Sequence, residues 1–216
     1  MIKKNISVNI VSSARLHLGF LDLGGNTKSS FGGIGVTINK FNTIINIKKN
    51  HKLVIKGNVS NKAFNFVINF CKKNKIKSNY LINIKKTIPE HVGLGSGTQL
   101  ALSIGTAIAK LNNLNLNTLE IGNMLDRGKR SKIGIGSFIQ GGFLIDLGMK
   151  NKFFPIFKQV KFPNEWKILL IQNKNKGLYG AKEEKAFKML QKPPNKKNSL
   201  NRLVLMKIYP SLVEKN

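Results

Sequence analysis

Acid is what this chain has least of: 9 Asp and Glu stand against 37 Lys and Arg in 216 residues, a formal net charge of +28. A balance of that sign admits three anionic partners, namely nucleic acid, a membrane surface or small molecules. Arginine is scarce too, present only at Arg15, Arg127, Arg130 and Arg202. The basic excess is therefore lysine, scattered through loops and strand ends amid Asn and Ile, a pattern of biased composition more than of a nucleic-acid face. Scarcity makes the arginines informative, because a planar guanidinium fork suits phosphate and carboxylate. The one cysteine, Cys71, excludes an internal disulfide framework and a multi-cysteine zinc site, and a reducing, cytoplasmic setting follows as the expectation. Its stretch, AFNFVINFCKKNKIK, is amphipathic and makes Cys71 a buried apolar residue. No apolar run approaches the ~20 residues that span a bilayer, and no membrane association is expected. The opening MIKKNISVNIVSSARLHLGF interleaves Asn and Ser with apolar residues, and reads as a strand entering the domain instead of a cleavable signal.

What is present is enough apolar residue, 41% of the chain, to bury one sizeable core and part of another. The first half reads as β-rich, with strands over 6–11, 15–20, 35–38, 43–48 and 53–56. Helical spacing follows over 61–75, then a strand over 80–85 and a helix over 99–110. A second helix over 116–125 has Asn117 or Thr118 as its cap and Glu120 in its first turn. Residues 130–136 form a second glycine-rich segment, and 142–147 a further strand. Residues 150–163 read as a basic connection, 166–172 (WKILLIQ) as an apolar strand, and 182–190 and 203–213 as helices. Strands and helices without strict alternation predict an α+β fold. A domain over 1–150 is expected to be followed by an incomplete α+β second domain over 151–216, whose single strand could not satisfy its own edges. Self-association, or a second chain completing that domain, is expected on the same ground.

The most informative stretch is PEHVGLGSGTQLA. It lies between the 80–85 strand and the helix that follows, and a strand, a glycine loop and a helix start make an anion site. Gly93, Gly95, Ser96, Gly97 and Thr98 offer backbone N–H groups and two hydroxyls to a phosphate or pyrophosphate. No Gly-Lys-Ser/Thr follows, so it is not a Walker loop, and the glycine spacing is not that of a dinucleotide-binding fingerprint. The plainer reading is a turn that lets a helix pack closely on a sheet.

Three further constellations carry chemistry. In ARLHLGFLDLGG, Arg15 and His17 are two apart, so a strand presents both on one face, with Leu16 and Leu18 turned to the core. Asp22 follows in a glycine-containing turn, and the three together suit a pocket wall, or equally an exposed strand face. His91 stands just before the glycine loop, placed to protonate a leaving oxygen or bind an acidic substrate, and Glu90 to orient it or to hold a phosphate-bound metal. The segment from Arg127 to Ser137 combines Arg127, Lys129, Arg130 and Lys132 with glycines, as a clamp for phosphate or carboxylate or as a solvated basic turn. It contains no carboxylate between Asp126 and Asp146.

The glycine loop resembles the phosphate motif of the GHMP kinase superfamily, whose members phosphorylate sugars, homoserine and mevalonate. Together with RLHLGFLDL, FGGIGV, RGKRSKIGIGSFIQGGFLID, GLYGAKEEKAF and RLVLMKIYP, it resembles the beta-ribofuranosylaminobenzene 5'-phosphate synthase family in particular. The resemblance implies a GHMP-kinase-like N-terminal domain with a ribosomal-protein-like βαβ fold. It implies decarboxylative transfer of phosphoribosyl from phosphoribosyl pyrophosphate to 4-aminobenzoate or 4-hydroxybenzoate, in methanopterin-type cofactor biosynthesis. The glycine loop would then cradle the departing pyrophosphate. Arg127 and Arg130 would hold the ribose phosphate or the benzoate, and Arg15, His17 and Asp22 would line the acceptor side. Magnesium is expected with the pyrophosphate, without an organic cofactor. Relatives of this kind continue beyond LVLMKIYPSLVEKN, so the resemblance also implies a chain shortened at its C-terminus.

Two other functions are weighed against it. An ATP-dependent small-molecule kinase shares the loop, but many such kinases activate their substrate with an aspartate where this chain has Gly134-Ile135-Gly136-Ser137-Phe138. A nucleic-acid-binding module would use the +28 charge and bind with a steep salt dependence. It ranks last, because arginines are sparse and no RNA-binding aromatic motif is visible.

Overall fold

The computed structural model describes residues 6–21, 32–129, 131–146, 157–172, 177–178, 180–189, 206–208 and 210–211. Its frame is a long antiparallel pair, β1 (Ser7–Phe20) with β2 (Gly33–Lys49). The opposite edge of β2 is shared: β4 (Tyr80–Lys86) pairs with its second half and β5 (Phe143–Asp146) with its first. β3 (Val54–Lys56) lies parallel to β4, and α1 (Ser60–Lys73) makes the crossover between them. β6 (Phe157–Val160) extends the sheet beyond β5. The expected α+β architecture is what forms.

Helices α1 and α2 (Ser96–Leu111) pack on one face of this sheet, and α3 (Thr118–Met124) packs against them. Alternation along β2 and β4 turns Ile45, Ile47, Ile82 and Ile84 toward them. Phe66, Phe70 and Cys71 close the core from α1, and Cys71 is buried as its amphipathic stretch predicts. α2 is buried along most of its length, which fixes its N-terminus, and so the glycine loop, against the sheet. α3 starts at Asn117, whose Oδ1 accepts from Leu119 N and Glu120 N while Glu120 returns a bond to Asn117 N. Of the two caps the sequence offers, Asn117 and Thr118, the structure uses Asn117, and Glu120 adds the reciprocal bond of a capping box.

Four expectations need correction. The paired strands read at 6–11 with 15–20, and at 35–38 with 43–48, are each one continuous strand. The register passes from Ser13–Asn42 to Ala14–Ile38, so Asn39, Lys40 and Phe41 bulge from β2 and break the alternation without breaking the ladder. The glycine-rich 130–136 segment contains the start of a helix, α4 (Ile133–Ile139). Its Gly134 lets the helix lie against Thr98 of α2, and Gln99 Nε2 donates to Gly134 O at 2.8 Å. The connection over 150–163 includes β6. Residues 166–172 are not a strand, because no described strand pairs with them, and Leu169 and Ile171 are 84% and 90% exposed. Further along, α5 (Ala181–Met189) matches the predicted helix, and 206–208 with 210–211 are helical within the second. Among the described residues no helix is long and apolar enough to cross a membrane.

Candidate functional site

β1 brings Arg15 to the glycine loop twice over. Its backbone N donates to Leu94 O at 3.2 Å, and its Nη1 donates to Gly93 O at 2.7 Å. The guanidinium then lies over Gly95, the residue before α2, with φ at 79°. A Cβ there would stand 3.0 Å from Arg15 Cζ, so the left-handed backbone favours glycine and a larger residue would have to displace the guanidinium. Arg15 Nε is buried without a hydrogen-bond partner. Burial lowers the guanidinium pKa, and the charge of Glu183 on α5 opposes that shift.

His17 shares the face of Arg15, as the two-residue spacing predicts. Its ring lies tilted against Phe20 with centroids 4.4 Å apart, and its Nε2 is buried without a hydrogen-bond partner. Burial first, and the Arg15 charge second, push its pKa down to about 4, so the imidazole is neutral at pH 7. The expectation that Leu16 and Leu18 both face the core holds for Leu16 alone. Leu18 is half exposed, because the register slips between His17 and Gly19 and turns it outward as a bulge.

Arg127 arrives from the end of α3. Asp126 takes a left-handed conformation and Arg127 N donates to Gly122 O at 2.7 Å, which ends the helix. Its Nε donates to Leu125 O at 2.9 Å, and the guanidinium lies 5.5 Å from the Phe66 ring centroid. Those two contacts fix the fork and leave Nη1 3.7 Å from the position a Cβ on Gly97 would take. Burial lowers its pKa, with the Asp126 charge opposing. The side chain therefore delivers a positive charge to the first turn of α2.

Arg15, His17, Gly93, Thr98 and Arg127 line one cavity of about 570 Å³. Gly95, Ser96 and Gly97 make the turn into α2 between two of these residues. Those three do not themselves line the cavity; no side chain caps the helix start beside it, which leaves its first N–H groups without side-chain partners. Phe20, Asp126, Gly128, Lys129, Ser131, Gly180 and Glu183 complete the walls, and Lys129 Nζ pairs with Asp126 Oδ1 at 2.9 Å. Lys132 N donates to buried Asp146 at 2.8 Å and Ser131 Oγ accepts from Ile133 N at 3.2 Å, which holds the basic segment beside the cavity. Asp22 and Arg130 lie outside the described residues.

Glu90 and His91 are next to the loop but do not line the cavity. His91 has a left-handed backbone and its carbonyl accepts from Gly177 N at 2.8 Å. Glu90 Oε1 accepts from Lys62 Nζ at 2.6 Å. Lys62, from the first turn of α1, also brings Cε and Nζ to 3.9 Å from the Cβ position of Gly97. Sequence reading missed Lys62 because nothing marks one lysine among so many. Glu183 carried a usable signal, since acids are few and it falls within GLYGAKEEKAF. Among the described residues no three His, Cys, Asp or Glu side chains are grouped as a metal site.

Residues 58–141 match the family of GHMP kinases N terminal domains. Over 96% of its length the chain is 34% identical to the beta-ribofuranosylphenol 5'-phosphate synthase of Methanocaldococcus jannaschii, of which it spans 72%. To the Archaeoglobus fulgidus protein of the same name it is 31% identical, over 93% of this chain and 69% of that one. In three dimensions it resembles the Streptococcus pneumoniae phosphomevalonate kinase, with a TM-score of 0.65 over 97% of this chain and 74% of that one at 10% identity. At that identity the likeness shows the fold alone.

Proposed function

Since the chain belongs to the beta-ribofuranosylphenol 5'-phosphate synthase family, with a GHMP kinase fold, we propose that it transfers phosphoribosyl from phosphoribosyl pyrophosphate to 4-hydroxybenzoate. The relatives' name specifies a phenol, whose hydroxyl must come with the acceptor ring, and this favours the hydroxy over the amino compound. The ring carbon bearing the carboxylate bonds to the anomeric carbon as the bond to pyrophosphate breaks. The carboxylate then leaves as carbon dioxide, and its bonding pair restores the aromatic ring. No oxidant or reductant is needed. The product suits methanopterin-type cofactor biosynthesis in the cytoplasm.

The observation that carries this reading is the convergence of Arg15, the glycine loop and Arg127 on one cavity. Charge grows on pyrophosphate as it leaves, and preorganised N–H groups, the Thr98 hydroxyl and the fixed Arg127 fork would stabilise it there. Arg15 would orient the benzoate carboxylate. The neutral ring of His17 adds no second full charge that would hold the carboxylate back as carbon dioxide departs. A carbon nucleophile needs no base to deprotonate it, consistent with the absence of acid between Asp126 and Asp146. The described side chains do not form a carboxylate cluster for a resident magnesium ion. Such an ion would be held chiefly by the substrate's own phosphates.

The test is pyrophosphate release from phosphoribosyl pyrophosphate, with and without 4-hydroxybenzoate or 4-aminobenzoate. Release that requires 4-hydroxybenzoate supports the proposal. ATP consumption with a small hydroxyl compound, and no benzoate-dependent release, would overturn it in favour of the kinase.

A further inference from the structure

We propose that Lys62 is a further cation of the anion site and Glu90 its built-in competitor, so that this pair sets how tightly a pyrophosphate group is held and how readily it leaves. The inference rests on the reading of the glycine loop as the pyrophosphate site. Its geometric basis is the approach of two cations to one point. Arg127 Nη1 lies 3.7 Å, and Lys62 Nζ 3.9 Å, from the position of a Cβ on Gly97. They come from different elements, the end of α3 and the start of α1, and meet at the first turn of α2. Arg15 provides an independent sign of a ligand nearby: its guanidinium lies over Gly95 while its buried Nε has no partner.

Glu90 holds Lys62 at 2.6 Å, and the two side chains are 35% and 33% exposed. An ion pair that open to water contributes little to folding, so stability alone gives weak reason for it. An ammonium has three donors and Glu90 occupies one, which leaves Lys62 able to bond a phosphate oxygen. The carboxylate meanwhile places a negative charge beside the incoming anion. It locates the lysine and weakens its pull at once, which suits a group that must be bound as substrate and released as product. Glu90 is thus a positioning residue acting through Lys62.

The two halves of the pair should therefore have opposite effects, which a purely structural salt bridge would not produce. The decisive experiment is calorimetric titration of the full chain with pyrophosphate, in metal-free buffer. Lys62→Met should weaken binding roughly tenfold, the loss of one charge-assisted bond. Glu90→Gln keeps an oxygen that accepts from Lys62 but deletes the charge, and should tighten binding by roughly threefold, falling toward no effect as salt rises. Lys62→Arg should restore most of the affinity lost in Lys62→Met. If wild type binds and the two variants shift together, or neither shifts, the inference fails while the loop assignment stands. If wild type does not bind pyrophosphate, the loop assignment fails and takes the inference with it.

Discussion

Arg15 donates from Nη1 to the carbonyl of Gly93 at 2.7 Å, and the same guanidinium covers Gly95 two residues later. A strand from the start of the chain thereby fixes the loop that opens α2, so the shape of the candidate site depends on β1 as much as on its glycines. Gly95→Ala should be destabilising by about 1–2 kcal/mol, from the left-handed backbone and the crowding of Arg15. It should reduce pyrophosphate affinity by more than its effect on the melting temperature implies. Parallel thermal melts and titrations check this, and unchanged affinity in a folded variant would remove Arg15 and Gly95 from the site.

Arg127 should not be replaceable by lysine. Its Nε bond to Leu125 O and its position on Phe66 fix the direction of the fork, and an ammonium can reproduce neither contact with the same reach. Arg127→Lys is expected to lose roughly tenfold in pyrophosphate binding despite keeping the charge, from the lost charge-assisted bond. Equal affinity in that variant would mean that charge alone matters there.

The fold was legible where pattern and packing agree. The inward isoleucines of β2 and β4 and the amphipathic face of α1 follow from residue spacing, and the start of α3 is narrowed by it to Asn117 or Thr118. What was not legible depends on pairing between distant segments. The Asn39–Phe41 bulge and the outward turn of Leu18 are properties of two strands together, and neither sequence alone displays them. Arg15, His17, Gly93, Thr98 and Arg127 could be nominated by residue type, but their meeting in one cavity required the fold. Lys62 could not be nominated at all, because its importance lies in where α1 begins relative to Gly97.

Asn117→Ala tests whether the cap of α3 supports the site. Loss of the reciprocal bonds with Glu120 should be destabilising by about 1 kcal/mol. Because α3 delivers Arg127 within a few residues, pyrophosphate affinity should fall modestly as well. Asn117→Ser, which can still accept the first-turn N–H groups, should recover both. Failure of serine to recover stability would show that Asn117 acts through some contact other than the cap.

The last prediction concerns acid. His17 has its pKa pushed down to about 4 by burial and by Arg15, from an ordinary 6.5. Between those values the unfolded chain binds a proton at this position that the folded chain does not, so folding stability falls as pH drops from about 6.5 toward 4. Below about 4 both states are protonated there and this contribution changes no further. Above 6.5 both are neutral, and it is likewise flat. His17→Gln removes the titration while keeping a polar side chain of similar length. Urea unfolding at pH 7 and pH 5 should show a smaller loss of stability in the variant than in wild type. Equal losses would mean that the imidazole is not sheltered by β1 and Phe20 as its geometry indicates, and the neutral wall assigned to the acceptor side would be lost with it.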